Sequence, residues 1–413
     1  MVEFQRHISV VLLSSLLAVT PLIAGSSGEV MRVTVDELVE MARSRDPGLL
    51  GSEARREAAL AARAAVGQWP HPELSTEWER LQGGDGEDAW GYEVALSQTI
   101  ASGRKNAAAR AMADRQMEAQ ALVLEKTRVR LAADVRSLAC AAWQWGELNE
   151  RARQLLSEAE SLLAPYRQRS PSGAVQELER LQVEARTLNF TDLVLDIRRQ
   201  AADAMAELAL LVGTEPEPGL EIIPFEIDVP RRDAGATNAL NPPEVALRTK
   251  EVGQAELAVR NSRLANRPEW AVGVFHRDEG TADGDRAAGL TVSVPLPLWS
   301  VSRGIEAEAR ALHAEALAGQ QRAEREAAGT WGRYNRAAQH HLVRLDLYSV
   351  ERLDAMRATT ERARQQFAAG AISASAYLEA QQTYLEAMAR RREAVVGAYQ
   401  AYVNMRYQEG LQP

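Results

Sequence analysis

The sequence predicts a mainly α-helical chain that also carries four membrane-type β-strands, and three observations predict it. In Gly289–Arg310, GLTVSVPLPLWSVSRGIEAEAR, the residues Leu290, Val292, Val294 and Leu296 are apolar at every second position and so share one face of a strand, which Pro295 and Pro297 end and Trp299 follows. From Ile305 the period becomes that of a long helix rich in Ala and Glu. Two runs, Arg104 to about Ala164 and Arg303 to about Ala369, hold roughly 60 residues each without Pro and as continuous helices would reach roughly 90 Å. The third observation is that the chain presents one order of elements twice, with a period of roughly 200 residues.

Composition agrees with long helices. Of 413 residues 46% are hydrophobic but only 5% aromatic, and Ala, Glu, Arg, Leu and Gln are enriched. The net charge of -9 with Lys and Arg dispersed leaves no basic block, so nucleic acid is not an expected partner. Cys140 is the single cysteine, which excludes an intramolecular disulfide, and its setting SLACAAW fits a small buried side chain better than a reactive thiol.

At the N-terminus Arg6, the apolar run Ile8–Ile23 and the small residues Ala24-Gly25-Ser26 have the form of a secretory signal, expected over residues 1–24. The run is interrupted by Ser14, Ser15 and Pro21 and falls short of the roughly 20 residues of a spanning helix, the alternative reading. No Cys follows it, so an acylated N-terminal Cys is not expected. No other stretch is apolar enough for a membrane helix, and any crossing is expected by strands.

The first repeat, expected over 25–212, runs from Asp46-Pro47 into a helix to about Val66. A strand near Leu74–Arg80, the loop GGDGED, the strand WGYEVALSQ and a helix from near Gly103 follow. The second, over 241–413, runs from Asn241-Pro242 into a helix to about Ala265, a strand near Trp270–His276, the loop DEGTADGD, the strand at Gly289 and a helix from near Arg303. Ala109-Arg110-Ala111 matches Ala309-Arg310-Ala311, and Gly173-Ala174-Val175 matches Gly370-Ala371-Ile372. Turns at YRQRSPSG and QQFAAG reverse each long helix, with returning helices near Ala174–Val212 and Ile372–Gln408. The segment 213–240, with four Pro and the stretch IIPFEIDVP, is expected to be an extended linker at the equator of the molecule.

Leu74, Thr76 and Trp78 alternate with Ser75, Glu77 and Glu79, as Trp90, Tyr92, Val94 and Leu96 do with Gly91, Glu93 and Ala95. A half-buried soluble sheet would explain the alternation. It would not explain the gathering of Trp69, Trp78, Trp90, Tyr92, Trp270, Phe275 and Trp299 near the strands, which aromatic girdles do. Four strands cannot close a barrel, whereas three chains would supply twelve.

The duplicated plan, the signal, SVPLPLWSVSRG and GAISASAYLEAQQTYLEA together resemble the TolC-like outer-membrane efflux channels over nearly the whole mature chain, and the PLPLW-x-x-x-RG junction resembles most the CzcC-like heavy-metal branch. The resemblance implies a homotrimer in the outer membrane of a Gram-negative bacterium, with a twelve-stranded barrel in lipid continuous with a periplasmic helical tunnel. It also implies a periplasmic adaptor and an inner-membrane resistance-nodulation-division transporter as partners. The tips, with Gly173, Ala174 and Val175 on one hairpin and Phe367, Gly370, Ala371, Ile372 and Ser373 on the other, are then where an adaptor would dock. Side chains a few turns from each tip would form the gate, for which Glu177, Glu179 and Glu379 are the candidates. Three copies of Glu379 on one axis would make a negative constriction that favours cations and raises its own pKa; a solvated outer-face Glu379 is the bland alternative.

No catalytic constellation and no cofactor motif is present. His340 and His341 are adjacent and so point about 100° apart on a helix, while His71, His276 and His313 are isolated. Asp85, Glu87, Asp88, Asp278, Glu279, Asp283 and Asp285 sit on strand-connecting loops, better read as soluble acidic loops than as a calcium site. The competing class is a periplasmic adaptor or coiled-coil scaffold, which would carry one hairpin between β-rich halves.

Overall fold

The computed structural model describes residues 31–82, 88–100, 102–167, 174–214, 220–231, 242–264, 267–278, 286–295 and 302–411. The signal segment, the tips of both strand-connecting loops, Leu296, Trp299 and Gly173 lie outside them. The described chain begins with strand β1 (Met31–Val33) and helix α1 (Val35–Arg45), neither of which the sequence reading anticipates. Thr34 and Glu37 close a capping box, Thr34 N donating to Glu37 Oε2 at 2.7 Å and Glu37 N to Thr34 Oγ1 at 3.3 Å. Asp46 ends α1 and caps α2 (Pro47–Ala65), accepting from Leu49 N at 2.6 Å, while Pro47 occupies the first turn where no N–H is needed.

Strands β2 (Glu73–Gln82) and β3 (Asp88–Ile100) precede the unbroken helix α3 (Gly103–Arg167, 65 residues) and α4 (Ala174–Val212). After β4 (Leu220–Ile222) the order returns as α5 (Pro243–Ser262), β5 (Trp270–Asp278) and β6 (Arg286–Ser293). It closes with α6 (Ser302–Leu347), α7 (Val350–Ala368) and α8 (Ala374–Gln408).

The second long helix is therefore not continuous as expected. It breaks at Tyr348–Ser349 without Pro or Gly. Ser349 takes an extended conformation and caps α7, accepting from Arg352 N at 3.4 Å. The carbonyls stranded by the break are met by arginines: Arg352 Nη1 donates to Leu347 O at 2.8 Å, and Arg391 Nη1, from α8, to Tyr348 O at 2.9 Å. The break costs little because its polar groups are answered.

At the same level the linker crosses the helices. Parallel pairing of β1 with β4 (Met31↔Leu220) holds its start, and Phe225 packs between Trp143 of α3 at 5.2 Å and Tyr399 of α8 at 6.1 Å. Beneath it α1, α3 and α4 share a core of Leu38, Ala42, Val135, Ala139, Cys140 and Leu208. Burial pushes the Cys140 thiol up to about 12, because the thiolate would have to form among apolar side chains. Iodoacetamide at pH 8 should therefore leave Cys140 unlabelled in the folded protein and label it in denaturant. Rapid labelling of the native chain would contradict this packing.

Candidate channel wall and hairpin tips

The four longer strands form one antiparallel sheet in the order β2-β3-β5-β6. Its register puts every even-numbered residue on one face. Leu74, Leu96, Val274 and Leu290 stand in one row across all four strands, and Val272 lies beside Val292. This face has no protein cover: Leu290 is 78% exposed, Trp78 72% and Leu74 69%. Aromatics mark its two ends, Trp270 beside Ile100 at one and Trp78, Tyr92 and Trp90 at the other, with Trp78 and Tyr92 rings 5.8 Å apart. From Trp90 to Ile100 the strand rises about 33 Å, and tilted by about 40° it covers about 25 Å of height, the thickness of an outer-membrane apolar band.

The odd-numbered face is polar. Glu73, Glu77 and Glu79 of β2 lie on it with Glu93 of β3 and Arg277 of β5. Glu77 is directly opposite Glu93, whose charge Arg277 engages at 2.8 Å. Phe275, expected in an aromatic girdle, belongs to this face instead. It lies over Gly289, where an added Cβ would come within 2.8 Å of its ring, so it fills the space of the missing side chain.

One expectation for the apolar strand needs correction. Leu290 and Val292 lie on the exposed apolar face, but β6 ends at Ser293, so Val294 is outside the strand and half-buried, and Leu296 lies outside the described residues. The ladder stops because β5 begins at Trp270 and its last register pair with β6 is Ala271↔Ser293, and because Pro295 has no N–H to donate. The strand is displaced toward Arg286, which pairs with Asp278 at 3.0 Å.

At the second hairpin tip, Gly370 N donates to Phe367 O at 2.9 Å and Ala371 N to Gln366 O at 2.8 Å, the paired bonds of a Schellman motif. Gly370 takes φ +71°, which a side chain would strain. Ser373 then caps α8, accepting from Ala376 N at 3.2 Å. Phe367 stacks flat on the buried Tyr377 at 5.3 Å, and Ile372 is half-buried beside them, so Gly370, Ala371 and Ser373 are what the tip presents. At the first tip Ala174 and Val175 open α4; their side chains and Gly173 lie outside the described residues.

The candidate gate acids do not stand together in one chain. Glu177 is bound by Arg180 at 2.7 Å, and that guanidinium holds its carboxyl below the usual carboxylate range. Arg180 also takes Glu184 at 2.6 Å. Glu379, exposed on α8, receives Arg186 of α4 at 3.3 Å, a link between the hairpins, and Glu179 is half-buried on α4. These arginines are the partners that sequence reasoning missed; Arg180 lies at the helix spacing that pairs with Glu177, but nothing local signals Arg186. Of the histidines, His341 is wedged against Gly397 of α8, with burial pushing its pKa down, and is a packing residue. Among the described residues no group of three His, Cys, Asp or Glu could hold a metal ion.

A sheet joined to long helical hairpins is a fold that solved outer-membrane channels share. The chain superimposes on the Campylobacter jejuni CmeC outer membrane channel with a TM-score of 0.74 at 16% identity, covering 91% of this chain and 85% of that one. A membrane protein from Pseudomonas aeruginosa gives 0.74 at 17%, with 91% and 90% covered, and the outer membrane protein VceC from Vibrio cholerae 0.70 at 15%, with 91% and 96%. Residues 38–214 match the family model described as outer membrane efflux protein. No curated protein matches the sequence.

Proposed function

We propose that the protein is the outer-membrane component of an efflux pump, a homotrimeric exit duct for solutes delivered by an inner-membrane resistance-nodulation-division transporter through a periplasmic adaptor. The observation that carries this reading is the sheet, with its exposed apolar face about 25 Å tall, its polar opposite face and its two open edges. Three such sheets joined edge to edge close a twelve-stranded barrel with lipid outside and water inside, in the outer membrane of a Gram-negative bacterium. The repeats 25–212 and 241–413, joined by 213–240, supply the helices of the periplasmic tunnel. An adaptor or coiled-coil scaffold has no use for such a sheet.

The acids on the polar face outnumber Arg277, which favours cationic cargo. Heavy-metal cations are the form of it that the PLPLW junction implies. The tips at Gly173–Val175 and Phe367–Ser373 are the adaptor contacts in this reading, and Glu177, Glu179 and Glu379 the gate.

Light scattering in mild detergent should return a trimer, and planar bilayers should show cation-preferring conductance. A monomer that does not conduct would end the channel reading. Glu379→Gln should lower the cation preference, with Glu177→Gln and Glu179→Gln testing the other hairpin. An unchanged reversal potential under a salt gradient in all three would remove the acidic gate and leave the channel.

A further inference from the structure

The two ends of the apolar sheet face are chemically unlike. At the end that joins the helices it carries Gln98, Ile100, Trp270 and Val292, none of them charged. At the end away from the helices it carries Arg80, His276, Asp278 and Arg286 among Trp78, Trp90 and Tyr92. The opposite face at that height has Glu77, Glu79 and Glu93 around Arg277, so cations are not spread evenly around this rim. A cation that needs only water is as well placed on the wet face.

The register arranges these groups. Trp78, Tyr92, Asp278 and Arg286 form one row across all four strands, with Arg80 one row further out beside Trp90 and His276 one row further in. The rings of Trp78 and Tyr92 are 5.8 Å apart and those of Tyr92 and His276 6.2 Å, an aromatic surface over three strands, with Trp78 and His276 exposed. Apolar ring faces with polar edges suit a sugar, which has a C–H face and a rim of hydroxyls.

An arginine stands on either side of the rings. Asp278, whose side chain is only 17% exposed, takes Arg286 Nε at 3.0 Å and so holds in place a guanidinium that is 78% exposed, leaving its Nη groups to meet a ligand. A planar guanidinium held this way offers the paired donors that phosphate accepts. Arg80, on the other edge strand, is exposed as well. At about 4.8 Å per strand and about 3.4 Å per residue the two arginines are rooted about 16 Å apart. That spacing suits a headgroup with a phosphate at each end of a short sugar core.

We propose that this rim binds the phosphorylated glycolipid of the outer leaflet, with its sugars on the rings of Trp78, Tyr92 and His276 and its phosphates on Arg80 and Arg286. The site rests on the channel reading, in which the helices are periplasmic and the opposite end of the sheet lies in the outer leaflet. It adds to that reading a lipid that one leaflet supplies and the other does not. The uncharged end near the helices makes no such demand on the inner leaflet.

The test uses the full-length protein in mild detergent, with diphosphoryl lipid A as the probe and bound lipid counted by native mass spectrometry. Wild type is expected to bind it saturably, and neither inorganic phosphate nor phosphatidylglycerol at equal concentration should displace it. Arg80→Ala with Arg286→Ala should weaken binding by about tenfold or more, through loss of both charge-assisted contacts. Trp78→Ala should weaken it several-fold. Arg277→Ala removes a cation at the same height from the polar face and should leave lipid binding unchanged. Equal binding by wild type and the double arginine variant overturns the site. Displacement by phosphate or phosphatidylglycerol also overturns it, since the rim would then be a general anion surface. Wild type should hold monophosphoryl lipid A several-fold more weakly than the diphosphoryl form. Equal affinity for the two overturns the paired phosphate contact, and this comparison needs no variant to assemble. In each of these cases a conducting trimer leaves the channel standing, whereas a monomer that does not conduct removes both.

Discussion

Val274→Arg is expected to remove the assembled protein from the outer membrane. Val274 stands between Leu96 and Leu290 in the row that crosses all four strands, midway between the aromatic ends of the apolar face. In the proposed barrel a guanidinium there would sit in hydrocarbon, at about 2–4 kcal/mol for each chain near mid-membrane. At about 1.4 kcal/mol per tenfold, one copy lowers the assembled fraction by about 30-fold or more, and the proposed trimer carries three. Thr291→Arg is the matched control, because Thr291 lies one row away on the polar face. It should reach the membrane at near wild-type levels, with altered conductance. The comparison is read as detergent-extracted trimer per cell. Equal recovery of the two variants would mean that the faces are assigned the wrong way or that the sheet does not meet lipid.

The second large effect is expected at the far end of the molecule, from Tyr377→Ala. Tyr377 is fully buried, stacks on Phe367, and its hydroxyl accepts from Gln381 Nε2 at 2.9 Å, with Gln381 itself 1% exposed. Removing the ring leaves a cavity worth about 3–5 kcal/mol. It also leaves Gln381 without that partner, at about 1–3 kcal/mol more. The loss falls on the junction of α7 with α8, which holds the tip in shape. Amide exchange should rise sharply between Gln366 and Gln381 while the equatorial part of α3 keeps its protection, and on the proposed function efflux should fall because the tip no longer presents Gly370 and Ala371 in one geometry. Tyr377→Phe keeps the stack and should give the smaller effect of the lost hydroxyl alone. Unchanged exchange at the tip in Tyr377→Ala would show that this core does not organise it.

Much of the architecture is legible before any coordinates. The alternation at Leu74–Trp78 and Trp90–Leu96 assigns each residue a face, because a strand turns successive side chains to opposite sides whatever its neighbours are. Gly370 is legible as a reversal because few residues other than Gly accept its backbone angle. The helix α4 has the limits expected of it, Ala174–Val212, with Gly213 at φ +71° closing it. The proposed acidic gate is less legible. Charge and distance from the tip single out Glu177 and Glu379, but these mark candidates only, and their arginine partners change what each acid can do.

Sequence by itself determined the alternation, the long helix α3, the tip at Gly370 and the doubling of the plan, since each is carried by local period or local backbone preference. Tertiary structure alone decided the features that depend on residues far apart in the chain. Helix α6 ends at Leu347 because Arg391, more than forty positions on, can satisfy the carbonyl of Tyr348. Strand β1 exists because Leu220–Ile222 comes back to pair with it. Phe275 turns to the polar face because its register sets it against Gly289, and β6 ends at Ser293, where its ladder with β5 stops at Ala271, one residue from the end of β5. Arg186 reaches Glu379 from another helix, a pairing that no spacing along the chain encodes. Periodicity specifies which way a side chain points; which group waits there is set only when the hairpins pack.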